Sequence, residues 1–253
     1  MATVAETVQR VLRPIQQFTR GWMLSEATDR AGIDLGLPSG EDFWIIGRAG
    51  VLGDCRPDVA AAALGYISPE GVRQAWAAIP AHLSPSAVHA AYAACCTTWG
   101  RDALSTFDPK RMARLDELGR RVADGASPAL GALFAGWRGL AQPTHIGERV
   151  ALTTQVLREM RGAAHLIAIQ ACGLTPLDAV LASPAPPPRR GPEWARHLRW
   201  TGPFRDADEL RPARIEAETL TSTIMERHLS VLDADELDEF GEIVETTRHA
   251  IAM

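Results

Sequence analysis

Apolar residues recur at helical spacing along almost the whole chain, whereas the alternating pattern typical of strands is rare. Several sites combine a capping residue with a proline or an acid in the next turn, which is how helices commonly begin. These sites are Ser68, Ser84, Asp108, Gly191 and Asp233. The pattern therefore predicts a mainly α protein.

The two halves of this pattern resemble each other. Ser-Pro-Glu at 68–70 parallels Gly-Pro-Glu at 191–193, and a proline follows each at the same distance, Pro80 and Pro203. Further on, residues 104–108 parallel residues 229–233, and the Pro-rich stretch 185–190 accounts for a difference in spacing upstream as a loop insertion. We interpret the chain as a duplication with units 1–126 and 127–253. The alternative is chance similarity between alanine-rich helices.

Within each unit, the order of elements is a long helix, two short helices, a connection and two longer helices. In the second unit, residues 203–208 lie where a short β-wing would follow a helix-turn-helix. The predicted fold is thus two tandem winged-helix-like units that form a pseudo-dimer within one chain, with at most a short β-wing.

Composition limits the classes of partner. The 253 residues are 46% apolar and 23% charged, as in ordinary globular proteins. The net charge is −5 and Lys110 is the only lysine, so a nucleic-acid partner is possible but not favoured. There is no long apolar run, no secretion pattern and no CxxC pair among the four cysteines. We expect a cytoplasmic protein that does not associate with a membrane and binds no cofactor or metal. The oligomeric state stays open.

Several segments carry a resemblance to a known family. They are FWIIGRAGVLG (43–53), AAALGYISPEGVRQAWAAIP (61–80), LREMRGAAHLIAIQACGL (157–174), IEAETLTSTI (215–224) and LDADELDEF (232–240). The chain resembles the SalK-like helical proteins of actinobacteria, which are described as helix-turn-helix proteins related to the MarR winged-helix regulators. The resemblance implies this fold and an association with secondary-metabolite genes, but no settled activity. Members read Arg-Gly-Asp-Gly-His where residues 161–165 read Arg-Gly-Ala-Ala-His, which puts in doubt a role for a carboxylate there.

A polar stripe near residues 150–172 is the main candidate site. At 100° per residue, Arg158, Arg161 and His165 fall on one side of a helix, and small residues follow Arg161. Two guanidinium groups and an imidazole suit a carboxylate or a phosphate, and His165 is the one candidate for proton transfer. The simpler interpretation is that the arginines pair with acids such as Asp54 or Asp58 and that His165 is a core residue.

The duplication adds further candidates to this stripe. Arg48 is the counterpart of Arg161, so a pseudo-dimer would turn both toward one crevice. Aromatic residues would supply its walls, and the candidates are Trp44, Trp76, Tyr92 and Trp137. Each of them is also explained as ordinary core. We therefore predict a small-molecule-binding protein whose ligand is anionic or aromatic.

Two other functions remain open. From 189 to 214 the chain carries seven arginines against four acids, which suggests DNA binding by a MarR-type regulator through Arg189, Arg190, Arg196, Arg199 and Arg205. The corresponding helix of the first unit offers only Arg73. A biosynthetic enzyme that uses the same crevice is the other alternative, although no catalytic motif or metal-ligand spacing is present.

Overall fold

The computed structural model describes residues 4–184 and 190–251, which form helices and connecting loops without a strand. The α-helices are α1 (Val4–Met23), α2 (Glu26–Asp34), α3 (Gly40–Ala49), α4 (Pro57–Leu64), α5 (Pro69–Ala77), α6 (Pro85–Ala103), α7 (Pro109–Asp124), α8 (Ala132–Arg138), α9 (Ile146–Ala171), α10 (Pro176–Leu181), α11 (Gly191–His197), α12 (Ala207–Leu229) and α13 (Ala234–Ile251). Two 3₁₀ helices span Gly50–Leu52 and Pro128–Leu130. The prediction of a mainly α protein is confirmed.

Side-chain caps define where the predicted helices begin. Ser68 accepts a hydrogen bond of 2.9 Å from the backbone N–H of Gly71, and Ser84 accepts one of 3.2 Å from that of Ala87. Both serines precede a proline, which lacks the N–H that would be unpaired in a first helical turn. Helices also begin directly after Asp108 and Asp233, as the sequence predicts.

The order of elements repeats along the chain, and the halves exchange their packing. Helices α4 to α7 run short, short, long and long, as do α10 to α13. Helix α1 packs on α12 and α13, whereas α9 packs on α6 and α7. Because α9 also packs on α1 and α12, helices from both halves share one core. The boundary at residue 126 and the winged-helix character of the units stay predictions.

The predicted β-wing at 203–208 is not formed. Residues 203–206 are a loop, and α12 begins at Ala207. The side chain of Asp206 accepts a hydrogen bond of 2.9 Å from the backbone N–H of Asp208, which caps the helix. The acidic run is a helix start, and the nine residues 198–206 connect α11 to α12 without a strand.

Helix α9 is the central element of the core. It has 26 residues, a length of about 39 Å, and it packs against α1, α6, α7, α8 and α12. Eight consecutive residues, Val150 to Leu157, are buried, so this part of the helix has no solvent face. Within the described ranges, no helix is both long and apolar enough to span a bilayer.

Two glycines bring α6 and α9 into backbone contact. A Cβ atom on Gly100 would lie 2.4 Å from the carbonyl oxygen of Gly147 and 2.5 Å from the Cβ of Ala151. Backbone atoms cannot move aside as the end of a flexible side chain can. The close approach of these two helices therefore depends on the missing side chain.

We expect Gly100→Ala to lower the free energy of unfolding by about 3 kcal/mol, because the added methyl group overpacks this contact. Gly162→Ala is the matched control, since a Cβ at Gly162 of α9 meets no atom within 4 Å. That control should raise stability by about 0.5–1 kcal/mol through helix propensity. Urea unfolding followed by circular dichroism measures both, and equal effects of the two substitutions would contradict the packing argument.

Candidate functional site

A cavity of about 210 Å³ lies where α1, α3 and α9 meet the segment from α10 to α12. Five of the residues predicted for the ligand crevice line it, namely Trp44, Arg48, Arg158, Arg161 and His165. Arg48 and Arg161, which the sequence interpretation pairs as counterparts, thus lie on one cavity. Apolar side chains of Ile67, Val180 and Leu198 complete its wall.

The charge of Arg48 is compensated by a buried acid. Its Nε and Nη2 atoms donate to the two carboxylate oxygens of Glu159 at 3.0 and 2.9 Å, and the Glu159 side chain is only 2% exposed. Gln155 donates a further hydrogen bond of 2.7 Å to Glu159. Burial works to lower the pKa of Arg48, but Glu159 outweighs it and the pKa is raised. Arg48 also lies over the ring of Trp44, 5.4 Å from its centre.

Arg161 and Arg214 share a single carboxylate. Arg161 donates to one oxygen of Glu218 at 2.7 Å, and Arg214 donates to the other oxygen at 2.6 Å. Burial works to raise the pKa of Glu218, but the two guanidinium groups outweigh it and lower the pKa. With its amide oxygen facing Arg161, Gln16 of α1 accepts two more hydrogen bonds, at 2.8 and 3.0 Å. One positive charge therefore remains on this cluster.

Arg158 has no carboxylate within ion-pair distance among the described residues. Its Nη1 atom donates to the backbone oxygen of Gln16 at 3.0 Å and to the hydroxyl of Thr19 at 3.1 Å, both neutral acceptors. Burial, and next the positive charge of Arg48, lower its pKa to about 10. It is still charged at neutral pH. Four guanidinium groups at the cavity are thus balanced by only two carboxylates, those of Glu159 and Glu218. Two positive charges remain.

The prediction that Asp54 or Asp58 pairs with the arginines of the stripe was wrong. Asp58 pairs with Arg73 at 3.1 Å, and Asp54 accepts hydrogen bonds from Ser86. Asp58 is in α4 and Asp54 lies just before it, away from the charged cluster that α12 completes. Glu218 is the acid that reaches Arg161.

His165 is buried and held in one orientation. Its Nδ1 atom lies 2.8 Å from the hydroxyl of Thr221, and that hydroxyl donates its only proton to the backbone oxygen of Ala217 at 2.6 Å. We assign the hydrogen to Nδ1 because the shorter contact of that hydroxyl is with Ala217, and this assignment leaves Nε2 as an acceptor. Burial and the charges of Arg214 and Arg161, against an opposing effect of Glu218, lower the pKa of His165 to about 3.

The ring of Tyr66 covers one side of His165. The two ring centres are 6.0 Å apart and the planes are nearly parallel, at 23°. The hydroxyl of Tyr66 and the Nε2 atom of His165 are both buried and have no hydrogen-bond partner within the described part of the chain. Burial raises the pKa of Tyr66 well above its ordinary value, so the phenol is neutral. The cavity therefore combines excess positive charge with neutral polar groups that lack a hydrogen-bond partner in the described chain.

Three predicted wall residues lie elsewhere. Tyr92 and Trp137 are fully buried in the core and do not line the cavity. The indole N–H of Trp137 donates to the backbone oxygen of Arg48 at 3.2 Å, so Trp137 supports the helix that carries Arg48. Trp76 donates instead to the backbone oxygen of Cys55 at 3.2 Å. The spacing of tryptophans on a helix does not distinguish a core position from a cavity wall.

The arginines of the DNA-binding alternative are dispersed, and Arg189 lies outside the described residues. Arg190 is exposed at the start of α11. Arg196 lies over the ring of Phe204, 5.4 Å from its centre, and Arg205 is 3.3 Å from Asp178. Arg199 pairs with Asp42 of α3 at 2.8 Å and donates to the backbone oxygen of Gly71.

Helices α5 and α11, which the sequence suggests as recognition helices, are joined at their ends. The backbone N–H of Ser68 donates to the backbone oxygen of Leu198 at 3.0 Å, and its hydroxyl donates to the backbone oxygen of Arg199 at 2.6 Å. The indole of Trp200 donates to the backbone oxygen of Tyr66 at 2.7 Å. Two recognition helices that read successive major grooves stand about 34 Å apart. The contact between α5 and α11 does not allow that spacing.

Sequence reasoning missed part of the cavity. Gln16, Tyr66, Trp194 and Arg214 also line it. Arg214 was counted in the basic stretch 189–214, and its spacing of four residues from Glu218 was the available signal for a helical ion pair. Tyr66 lies in one of the segments that carry the family resemblance. Among residues 4–184 and 190–251, no three His, Cys, Asp or Glu side chains are grouped to hold a metal ion.

Replacement of Arg48 should show how strongly the buried charge of Glu159 destabilises the fold when it has no partner. We expect Arg48→Met to lower the free energy of unfolding by about 3–5 kcal/mol, because it leaves a buried carboxylate without its cation. The double variant Arg48→Met with Glu159→Gln should recover most of the loss. Arg73→Met is the control, since Arg73 makes only exposed ion pairs, which water screens. A double variant as unstable as the single one would refute this ion-pair argument.

His165 should stay neutral in the folded protein at every pH near neutrality. The unfolded chain takes up this proton near pH 6.5 and the folded chain only near pH 3, so the contribution of His165 to stability falls as the pH decreases across that window. His165→Gln should make the loss of stability in this window shallower, whereas His82→Gln, at an exposed position, should not. Unfolding at a series of pH values measures this, and an NMR titration of His165 with a midpoint near 6.5 would contradict it.

The comparisons with known proteins give a family. A model of the helix-turn-helix family matches residues 5–253, nearly the whole chain, so the chain belongs to that family. No curated protein matches significantly, and neither does any solved structure.

Proposed function

We propose that this member of the helix-turn-helix family binds a small anionic molecule with an aromatic ring in the cavity beside α9. One observation carries the proposal: Arg158 keeps a charged guanidinium group on the cavity without a carboxylate partner in the described chain. A buried charge without a counter-ion is costly, and a ligand carboxylate or phosphate removes that cost. Phosphate and carboxylate share this chemistry.

Size and wall chemistry support an aromatic ligand. The cavity volume of about 210 Å³ exceeds the roughly 150 Å³ of an apolar cavity that takes up benzene. Trp44, Tyr66 and Trp194 offer flat apolar surface, while the charged groups lie on α3, α9 and α12. A single ring with one carboxylate fits these dimensions. The resemblance seen in the sequence motifs favours a ligand from secondary metabolism.

The two alternative functions have less support. DNA binding through α5 and α11 conflicts with the direct bonds between these helices and with the internal ion pair of Arg199. Acid–base catalysis by His165 conflicts with its low pKa, because an imidazole with a pKa of about 3 is a weak base at neutral pH. Both observations leave binding as the better proposal.

Titration calorimetry with benzoate tests the proposal. The wild-type protein should bind benzoate, and it should bind the neutral isostere benzamide at least tenfold more weakly, since only benzoate compensates Arg158. Arg158→Gln should weaken benzoate binding at least tenfold, about 1.4 kcal/mol for a charge-assisted hydrogen bond. Circular dichroism verifies that the variant is folded.

Arg73→Gln is the matched control, because Arg73 is an exposed arginine in α5 that is paired with Asp58 and Glu70. It should leave benzoate affinity unchanged. Equal affinities for benzoate and benzamide, or an unchanged affinity in Arg158→Gln, would show that the cavity does not select anions through Arg158.

A further inference from the structure

We propose that His165 accepts a hydrogen bond from a hydroxyl group of the bound anion, so that the ligand class is a hydroxylated aromatic carboxylate. This inference rests on the proposed function, because it adds a second recognition element to the same cavity. It concerns the end of the cavity that lies beyond the arginines along α9.

The tautomer of His165 is fixed by its neighbour on α12. Thr221 has a single hydroxyl proton, and the backbone oxygen of Ala217 takes it at 2.6 Å. The 2.8 Å contact between Thr221 and Nδ1 is therefore a hydrogen bond donated by the imidazole. In the neutral ring, Nε2 then has a lone pair and no hydrogen. The site needs a donor, and a group that only accepts would be repelled.

No side chain of the described chain supplies that donor. Glu218 approaches Nε2 only to 3.9 Å, and a carboxylate is an acceptor. Tyr66 stacks on the ring of His165 nearly parallel, which keeps its hydroxyl from meeting the imidazole edge, and that hydroxyl has no partner either. Arg161 directs its hydrogen bonds to Glu218 and Gln16, and Arg214 donates to Glu218 through Nη1, while its buried Nε makes no hydrogen bond to His165 or to any other described residue. The His165 side chain lines the cavity and is 7% exposed, and its Nε2 atom is a buried acceptor without a partner in the described chain.

A hydroxyl group suits this acceptor better than an ammonium group. The cavity already carries two excess positive charges, so a cationic donor would be repelled by Arg161 and Arg214. A phenolic hydroxyl has a pKa near 10, like that of tyrosine, so it keeps its proton at neutral pH. It adds a donor without adding charge.

The spacing along α9 indicates where the hydroxyl lies on the ring. Arg158 and His165 are seven residues apart, two helical turns or about 10 Å along the axis. A ligand whose carboxylate contacts Arg158 and whose hydroxyl contacts His165 must carry these groups at opposite ends. A para-hydroxylated ring meets this requirement, whereas an ortho-hydroxylated ring holds both groups on one side.

The test compares three aromatic carboxylates that differ only at the para position: benzoate, 4-hydroxybenzoate and 4-methoxybenzoate. The methoxy group keeps the oxygen but has no proton to donate. In the wild-type protein, 4-hydroxybenzoate should bind at least tenfold more tightly than 4-methoxybenzoate, as expected when a buried acceptor gains or lacks its donor. The ¹⁵N resonance of His165 Nε2 should shift on addition of 4-hydroxybenzoate and not of benzoate.

Two variants test whether His165 is the residue that recognises the hydroxyl group of the ligand. His165→Leu should remove the preference for the hydroxyl group, so that 4-hydroxybenzoate and 4-methoxybenzoate bind with equal affinity. Thr221→Val, a substitution of similar shape, removes the group that fixes the tautomer, so the preference for hydroxyl over methoxy should shrink. A Thr221 role confined to packing would leave that preference unchanged.

The outcomes separate the two proposals. If benzoate binds but 4-hydroxybenzoate gains nothing over 4-methoxybenzoate, a water molecule satisfies His165 and this inference is overturned while the proposed function stands. A preference that persists in His165→Leu also overturns it, since the hydroxyl is then recognised by another group. If none of the three carboxylates binds, the proposed function itself fails.

Discussion

The burial of α9 on nearly all sides is the constraint on which the rest of the structure depends. A buried helix that carries charged residues must obtain their partners from the helices around it, because water is excluded. Asp116 of α7 accepts from Thr153 at 2.6 Å and from Arg149, and Arg48 of α3 compensates Glu159. These contacts fix the register of α9 against its neighbours. The cavity forms at the C-terminal half of the helix, where the compensation is incomplete.

A second group of contacts separates this chain from the geometry of a DNA-binding dimer. The ends of α5 and α11 are joined through Ser68, Arg199 and Trp200. Arg199 adopts a left-handed backbone conformation, with φ of 63°, which costs a non-glycine residue roughly 1–2 kcal/mol. Its ion pair with Asp42 and its bond to Gly71 stabilise this conformation. The same segment forms the floor of the cavity through Leu198 and Tyr66.

Much of the fold and part of the site could be predicted from the sequence, for reasons that individual residues make clear. Helix starts depend on local caps, so Ser68 and Ser84 were sufficient to locate them. The stripe of Arg158, Arg161 and His165 follows from helical periodicity alone. The partner Glu218 is 57 residues away from Arg161 in the chain, and only tertiary packing brings the two together. Local spacing therefore found one side of the cavity and missed α12, which supplies the other.

The incomplete compensation along α9 is also the physical basis for the proposed anion site at this place in the core. At Arg48 and Glu159 the charges match one to one, and the geometry is bidentate, so nothing remains for a ligand to neutralise. At Arg158 only neutral acceptors contact the guanidinium group, although burial has already lowered its pKa to about 10. A charge held in this way destabilises the protein, and an anionic partner removes that destabilisation. In the proposed function, the free energy that the fold gives up at this one residue is the free energy that makes the cavity selective for anions.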